Sequence, residues 1–176
     1  MSLDRAPAEI LARLDALEAE SAVRRVMADY MRLCDSLDAD TPMDELGALF
    51  TVDAVWEGKG ARYGSTFGRH EGRAAILAML DAYRGPQPHF AMNAHFLASE
   101  MIAVEGETAQ GSWMMLQTST YATGASDLRA ARLEVAFARE DGRWRIAHFQ
   151  TGALFSRPVD HWDSAAPVPV PGNIGE

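Results

Sequence analysis

The stretch "FAREDGRWRIAHF", residues 137–149, decides which fold the sequence predicts. Two β-like segments flank Asp141-Gly142, a pair that favours the two-residue turn of a β-hairpin. The segments before it continue the β pattern and are separated by turn residues, including Glu105-Gly106. We therefore predict an antiparallel run of strands at residues 90–98, 101–105, 108–118, 129–139 and 143–153.

Helical spacing dominates the first third of the chain. Apolar residues recur there at steps of three and four and form two successive stripes, one of Ile10, Leu11, Leu14 and Leu17 and one of Val26, Met27, Tyr30, Met31, Cys34 and Leu37. This is the period of an amphipathic helix that buries one face. We predict helix across both stripes, with a bend near Ser21 between them.

Two further helices are predicted before the strands begin. In "TPMDELGALF", Thr41 is the candidate N-cap and Pro42 takes the first helical position. The segment "RAAILAMLDAY" predicts a helix that ends at Gly85, ahead of Pro86. Between these helices, "DAVWEGKG" predicts a strand that ends at its glycines, and the glycine-rich residues 58–72 predict a loop.

The order of these elements predicts the fold class. Helices followed by an antiparallel meander indicate an α+β fold, in which the helices lie on the concave face of a curved sheet. No internal repeat or interior linker divides the chain, so residues 1–157 are predicted to form one domain. The tail at residues 158–176 is rich in proline, which prevents regular structure and favours an extended arm or a disordered segment.

Composition excludes several classes of protein. A formal net charge of −9 argues against nucleic-acid binding, because a protein that neutralises phosphates needs an excess of Lys and Arg. Residues 1–20 are rich in charge, which argues against a signal peptide, and no apolar run reaches membrane-spanning length. Cys34 is the sole cysteine, which excludes an internal disulfide and a cysteine-built zinc site. We expect a cytoplasmic protein.

One helical stretch, "DYMRLCD" at residues 29–35, carries an unusual set of polar groups. Tyr30 and Cys34 lie near the middle of the predicted buried stripe, and Asp35 lies at its edge. A buried phenol with a carboxylate one turn on needs polar partners, since a buried polar group without them is destabilising. The end of this helix is therefore expected to meet polar side chains from elsewhere in the chain.

The order of several segments resembles that of a known family. They are "ADYMRLCDSLDAD", "LGALFTVDAVWEG", "GRAAILAML", "HFLASEMIAVEGETAQGSW" and "FAREDGRWRIAHF". Over residues 8–155 the chain resembles the SnoaL-like branch of the nuclear transport factor 2-like superfamily, which includes scytalone dehydratase and bile acid 7α-dehydratase. The resemblance implies a cystatin-like cone, with a curved antiparallel sheet around about three helices. It also implies chemistry without a metal or organic cofactor, and a homodimer or homotrimer formed through the outer face of the sheet.

The same resemblance assigns site residues. Tyr30 and Asp35 match a tyrosine and an aspartate of the bile acid dehydratase pattern, and His95 matches its histidine. Cys34 stands where the scytalone enzyme has another tyrosine, and "DLRAARLE" lacks that enzyme's second histidine. The base of ketosteroid isomerase would fall near Gly58. These departures leave the substrate open.

The matches imply a lyase, most closely a dehydratase of a hydrophobic cyclic or aromatic hydroxy-carbonyl compound. His95 would move the proton, Asp35 would orient His95, and Tyr30 would stabilise the developing enolate or the leaving oxygen. The sequence leaves open an isomerase or C–C lyase on the same scaffold, and a non-catalytic binder of small apolar ligands. Further pocket-lining side chains are expected at Trp56, Trp113, Met115 and His148.

The other histidines and the lysine are given non-catalytic roles. His148 shares strand parity with Ile146, which predicts an inward position at the end of the sheet. Lys59, the sole lysine, is expected at the surface. Solvated positions are expected for His70, His89 and His161. No H-x-H or H-E-x-x-H pattern is present, so no metal site is predicted.

Overall fold

A long helix opens the fold. In a computed structural model of the protein, the described residues are 5–160 and Trp162, apart from the side chains of residues 5 and 6. Helix α1 (Arg5–Asp35) spans 31 residues without interruption, so no break in the helix separates the two stripes near Ser21. No proline or glycine lies within residues 8–35 to force one. The second apolar stripe is buried, with Met27 1% exposed, whereas the first lies at the surface, with Ile10 65% exposed.

The threonine predicted to cap the second helix has another role. Helix α2 (Met43–Ala48) has Pro42 as its N-cap residue, and no side chain caps it. The hydroxyl of Thr41 donates to the carbonyl of Ser36 at 2.5 Å and accepts the backbone N–H of Asp38 at 2.8 Å. The predicted cap is therefore wrong, because this hydroxyl closes the turn that follows α1.

Regular structure replaces the loop predicted at residues 58–72. Strand β1 (Phe50–Lys59) continues through the first glycine, and helix α3 (Gly60–Phe67) and strand β2 (Arg69–Glu71) follow it. Gly60 and Gly68 have φ angles of 72° and 67°, a region that favours glycine. These glycines form the turns at the two ends of α3. Closely spaced glycines, which in the sequence resemble a flexible loop, therefore lie at the junctions between the end of β1, α3 and β2.

The last helix and the strands follow the predicted order. Helix α4 (Arg73–Asp81) ends before the predicted stop at Gly85, and residues 82–84 form turns between the two. The strands after it are β3 (Phe90–Glu105), β4 (Thr108–Tyr121), β5 (Ser126–Glu140) and β6 (Arg143–Val159). The two strands predicted at 90–98 and 101–105 are one strand with a bulge near Ser99. Asp141 and Gly142 form the predicted hairpin turn, with φ angles of 52° and 74°.

The six strands form one curved sheet that does not close. Their order is β2-β1-β6-β5-β4-β3. All neighbours are antiparallel except β1 and β6, which pair in parallel. The α+β class and the cystatin-like cone are confirmed, with two corrections: the sheet is mixed, and the described residues form four helices where about three were expected. The parallel pair arises because β1 precedes the meander and joins its last strand through a long connection.

The core lies between the helices and the inner face of the sheet. Met27, Leu46 and Ile76 contribute to it from three helices, and each is at most 1% exposed. Trp113 enters from β4 and is 2% exposed. Its ring packs over Gly111, where an added Cβ would lie 2.3 Å from the indole. A large ring and a glycine two residues apart on one strand therefore fill the space together.

Regular structure continues slightly beyond the start of the predicted tail. Strand β6 includes Pro158 and Val159, which were assigned to the tail. The indole N–H of Trp162 donates to the carbonyl of Ser119 at 3.2 Å. Residues 161 and 163–176 lie outside the described residues, so the extended or disordered tail stays a prediction.

Candidate active site

His95 and Asp35 meet where the end of α1 lies against β3. The Nδ1 atom of His95 lies 2.6 Å from Oδ1 of Asp35, and the same oxygen accepts the backbone N–H of His95 at 3.0 Å. An ionised carboxylate can only accept hydrogen bonds, so the neutral imidazole carries its proton on Nδ1. Its Nε2 atom is then unprotonated and can act as a base.

A second contact fastens the end of α1 to β3. The Nδ2 atom of Asn93 donates to the carbonyl of Cys34 at 3.2 Å, which satisfies an acceptor left open at the helix C-terminus. Its Oδ1 atom accepts hydrogen bonds from Gln117 and Ser119, both at 2.8 Å. Asn93 and His95 are two residues apart and lie on one face of the strand. This network therefore holds His95 in register with the helix end.

The hydroxyl of Tyr30 is buried and has a partner. It accepts a hydrogen bond from the indole N–H of Trp56 at 3.0 Å, and the residue is 4% exposed. Burial, and then the neighbouring Cys34, raise the pKa of Tyr30 well above its ordinary value. Burial also raises the pKa of Cys34 to about 12. Both groups are therefore neutral at working pH, and the thiol is not a ready nucleophile.

These groups border a cavity of about 110 Å³ between the helices and the inner face of the sheet. The wall is mainly apolar, formed by Tyr30, Met31, Cys34, Leu37, Trp56, Tyr63, Phe67, Met79, Leu80, Tyr83, Phe90, Met115, Leu133 and Phe149. Its polar members are Asn93, His95, Gln117, Arg129 and Thr151. An apolar cavity with a few polar groups is the usual form of a small-molecule site.

The structure brings together most of the predicted site residues. Tyr30, His95, Trp56 and Met115 all border the cavity. Asp35 reaches it only through its hydrogen bond to the imidazole. This is the arrangement expected of a carboxylate that orients a base without touching the substrate.

Trp113 does not line the cavity as predicted. The residue belongs to the core, where its indole N–H donates to Glu100 at 3.0 Å. Alternation along β4 identified the correct face of the sheet. It could not distinguish cavity wall from packed core, because both lie on that face.

His148 lies on the outer face of the sheet, so its predicted inward position is wrong. In the pairing of β5 with β6, Phe137 faces Ile146 and Ala136 faces His148, which leaves Ala147 as an extra residue. A bulge of one residue reverses the alternation beyond it. Ile146 is therefore fully buried, whereas His148 is directed away from the cavity.

The outer face carries a polar cluster around Glu57. Its carboxylate accepts hydrogen bonds from Arg69 at 2.9 Å and Gln150 at 2.6 Å, and His148 Nε2 lies 3.0 Å from it. Burial alone would raise the pKa of Glu57, but the hydrogen bonds from Arg69, Gln150 and His148 outweigh it and lower the pKa to about 2. This cluster joins β1, β2 and β6 on the side opposite the cavity.

The remaining candidates lie outside the cavity wall. Lys59 is at the surface, as expected, with its side chain 51% exposed. His70 is not solvated as predicted, because it lies in β2 and its Nε2 is 2.9 Å from the carbonyl of Phe67. His89 is exposed in the loop before β3, as expected. His161 lies outside the described residues.

Two features are absent from residues 5–160 and Trp162. No group of three or more His, Cys, Asp or Glu side chains there could hold a metal ion. In the same ranges, none of the helices has the length and apolar character needed to cross a membrane.

The family follows from a match over most of the domain. A family model described as the SnoaL-like domain matches residues 15–150. The chain belongs to the SnoaL-like domain family. No curated protein matches the sequence.

Solved structures share the fold of this SnoaL-like protein. A hexachlorocyclohexane dehydrochlorinase, LinA type 2, has a TM-score of 0.70 at 18% identity, covering 91% of this chain and 99% of its own. A scytalone dehydratase candidate from Novosphingobium aromaticivorans has a TM-score of 0.68 at 19% identity, and the match covers 86% of this chain and 94% of that one. An NTF2-like protein with a cystatin-like fold from the same species has a TM-score of 0.65 at 26% identity, and the match covers 84% of this chain and 89% of that one. The predicted superfamily is confirmed.

Sequence reasoning missed four polar residues in the wall of the SnoaL-like cavity, Asn93, Gln117, Arg129 and Thr151. Two of these, Gln117 and Arg129, matter for the chemistry of the cavity. Both can be found from strand alternation. Gln117 is two residues from Met115 on β4, and Arg129 shares parity with Ala131 and Leu133 on β5, which are fully buried. A charged residue in phase with a buried stripe is the signal that identifies Arg129 as an inward side chain.

Proposed function

We propose that the protein is a cofactor-independent lyase, most closely a dehydratase of a hydrophobic cyclic or aromatic hydroxy-carbonyl compound. The observation that carries the proposal is the hydrogen bond of 2.6 Å between Asp35 and His95, with His95 on the wall of an apolar cavity. An imidazole held by a carboxylate, with its Nε2 atom unprotonated, is suited to general-base chemistry. The apolar wall strengthens electrostatic interactions at the reacting atoms by excluding water.

The reaction proceeds in three electronic steps. Nε2 of His95 takes a proton from the carbon next to the substrate carbonyl, and the C–H electron pair forms an enolate. The enolate electrons then form the C=C bond while the C–O bond of the β-hydroxyl breaks. The imidazolium returns its proton to the departing hydroxide, so water leaves and His95 is neutral again. Asp35 stabilises the imidazolium between these steps, because its negative charge lies 2.6 Å from Nδ1.

Tyr30 supplies a neutral donor in this scheme. Its oxygen already accepts the indole N–H of Trp56, and its own proton lies beside the sulfur of Cys34, a weak acceptor that a substrate oxygen can replace. A hydrogen bond to the phenol oxygen also polarises the O–H group and makes it a stronger donor. Tyr30 is therefore proposed to donate to the enolate oxygen or to the leaving hydroxyl.

A panel of one-ring β-hydroxy ketones tests the proposed reaction. We expect the wild-type protein to form the conjugated enone, measured by its ultraviolet absorbance, with loss of one water confirmed by mass spectrometry. His95→Ala should abolish this turnover, whereas His148→Ala, a change on the outer face of the sheet, should leave it intact. Full activity in His95→Ala would contradict the proposed base. A product of unchanged mass would indicate an isomerase, two carbon fragments a C–C lyase, and binding without turnover a ligand carrier.

The outer face of the sheet supports the proposed homodimer or homotrimer. Phe96 pairs with Leu116, which pairs with Ala130, which pairs with Phe155, so one apolar row crosses β3 to β6. Phe96 is 55% exposed and Phe155 is 48% exposed in the single chain. Contiguous exposed apolar side chains favour association. Sedimentation equilibrium at micromolar concentration should give two or three chains, and a monomer there would contradict the assembly.

A further inference from the structure

One permanently charged cation lines the cavity. Of the described residues in its wall, only Arg129 is a lysine or arginine. Its side chain is 26% exposed and comes from β5, among mainly apolar neighbours. Burying a guanidinium in such surroundings costs free energy unless other groups compensate for the lost water. Arg129 therefore requires polar or charged partners, of which Asp127 is one.

Arg129 lies in the same row of the sheet as His95. His95 pairs with Gln117 of β4, and Gln117 pairs with Arg129 of β5. Side chains paired directly across neighbouring strands lie on one face of a sheet, and the strands are about 4.8 Å apart. The Cα atoms of His95 and Arg129 are therefore about 10 Å apart on the inner face, with Gln117 between them.

Two neighbours hold the guanidinium of Arg129 in place. Its Nε atom donates to Oδ2 of Asp127 at 2.6 Å, and its Nη2 atom donates to the hydroxyl of Tyr121. The guanidinium carbon lies 5.7 Å from the centre of the Tyr121 ring, within the range of a cation–π contact. The planar group is thereby oriented before any ligand binds, which lowers the entropy lost on binding.

These contacts leave part of the guanidinium open. A carboxylate that fully satisfies an arginine uses both oxygens on two parallel N–H groups. Asp127 uses one oxygen on Nε, while its buried Oδ1 atom has no hydrogen-bond partner among the described residues. Within the same part of the chain, the hydrogen bonds of Arg129 are made by Nε and Nη2, and none is made by Nη1. The pair is therefore not the closed fork expected of a purely structural salt bridge. A cation with an open N–H edge on a cavity wall is a site for an anionic oxygen.

We propose that the cavity takes a substrate with a carboxylate group, bound by Nη1 of Arg129 two strands away from the carbon that His95 deprotonates. The proposal rests on the proposed lyase function and narrows its substrate class from hydrophobic hydroxy-carbonyl compounds to their carboxylic acids. Gln117 lies between the two positions and adds an amide beside the ring of the substrate. The mainly apolar wall then encloses the rest of the molecule.

Binding of two matched probes tests this assignment without turnover. Benzoate and benzamide have the same ring and nearly the same shape, but only benzoate carries a negative charge. Titration of each into labelled protein, followed by amide chemical shifts in NMR spectra, gives the two dissociation constants. The variants are Arg129→Gln, Arg129→Lys and the control Arg132→Gln, an exposed arginine on the same strand.

We expect wild-type protein to bind benzoate at least about tenfold more tightly than benzamide, since hydrogen bonds between charged groups are about twice as strong as neutral ones. Arg129→Gln should bring the ratio close to one, Arg129→Lys should retain part of it, and Arg132→Gln should leave it unchanged. Equal binding of the two probes by the wild type would overturn the proposal, and so would an unchanged ratio in Arg129→Gln. The wild-type comparison decides the matter even where a variant fails to fold.

The same titration in His95→Ala separates this proposal from the proposed reaction. Removal of the base stops proton transfer but leaves Arg129 and its partners in place. Preference for benzoate should therefore persist in His95→Ala. A protein that prefers benzoate but dehydrates no hydroxy ketone or hydroxy acid would retain the carboxylate site and lose the lyase assignment.

Discussion

One carboxylate oxygen of Asp35 bonds both the ring and the backbone of His95, at 2.6 Å to Nδ1 and 3.0 Å to the main-chain nitrogen. The first bond sets the tautomer of the imidazole, and the second ties the strand that carries it to the end of α1. The residues are 60 positions apart in the chain. Asp35 therefore acts on both the position and the tautomer of the proposed base.

Loss of either member of this pair should have nearly the same effect on turnover. His95→Ala removes the base, and Asp35→Asn can present an amide N–H to Nδ1 and favour the wrong tautomer, so each should lower kcat about 100-fold or more. The double variant should be little worse than His95→Ala alone, because the two residues act as a unit. Asp29→Asn, a partly exposed carboxylate of α1 that lies near Arg32, serves as the control. Multiplicative losses in the double variant would contradict a shared role.

Much of this pair could be predicted from the sequence. The tyrosine and aspartate at the end of α1 and the histidine entering a strand match a family pattern in residue type and order. Gln117 and Arg129, which pair across the sheet with His95, could have been placed on the inner face from the alternation of residues along β4 and β5. No family match pointed to them. His148 was placed on the wrong face because the bulge at Ala147 leaves no mark in residue type.

The hydrogen bond between Tyr30 and Trp56 should show coupling in stability. Tyr30→Phe leaves the buried indole N–H without its acceptor and should lower the free energy of unfolding by about 1–3 kcal/mol. Trp56→Phe removes the donor and part of the packing. The double variant should lose less than the sum of the two single losses, because no unpaired group remains. Urea unfolding followed by circular dichroism measures all three, and strict additivity would count against the bond.

The cluster around Glu57 should make the free energy of unfolding depend on pH in the acidic range. Burial opposes ionisation, but hydrogen bonds from Arg69, Gln150 and His148 lower its pKa from 4.5 to about 2. The folded state therefore holds this proton less tightly than the unfolded state. The resulting stabilisation is fully present above about pH 4.5 and is lost as pH falls toward about 2.

Glu57→Gln measures that contribution. At neutral pH the variant should have a free energy of unfolding about 1–2 kcal/mol below that of the wild type. The difference should shrink as pH falls from about 4.5 to about 2, because the carboxylate of the unfolded wild type takes up its proton in that range before the folded one does. Glu134→Gln, at an exposed position of β5, should show no such pH dependence. A difference that stays constant down to pH 2 would mean that the carboxylate charge contributes nothing.

Two glycines near α3 should respond in opposite directions to alanine. A Cβ on Gly58 would lie 2.1 Å from the backbone oxygen of Tyr63, so Gly58→Ala must displace α3 and should lower the free energy of unfolding by more than about 2 kcal/mol. At Gly64, inside the helix, the nearest atom would be 3.5 Å away. Gly64→Ala should therefore raise stability by about 0.5–1 kcal/mol. Thermal unfolding of the two variants compares them directly, and equal effects would contradict the close packing at Gly58.

The same glycines show why part of the fold escaped prediction. The strongly periodic segments, α1 and the strands after residue 90, were identified because their apolar residues follow one period over many positions. Residues 58–72 hold five glycines, which in sequence resemble a mobile loop. In the structure Gly58 allows α3 to approach β1, and Gly60 and Gly68 form the turns around it. Close approach of backbones is a tertiary feature that local composition cannot reveal.

The protonation of the His95 ring tests the central claim most directly. Long-range 1H–15N spectra of the histidine rings at about pH 8 distinguish a protonated Nδ1 from a protonated Nε2 in the neutral ring. The signal is assigned by its absence in His95→Ala. We predict that His95 carries its proton on Nδ1 in the wild type, and that Asp35→Asn removes this preference. A proton on Nε2 in the wild-type protein, or a tautomer unchanged in Asp35→Asn, would contradict the claim that Asp35 prepares His95 as a base.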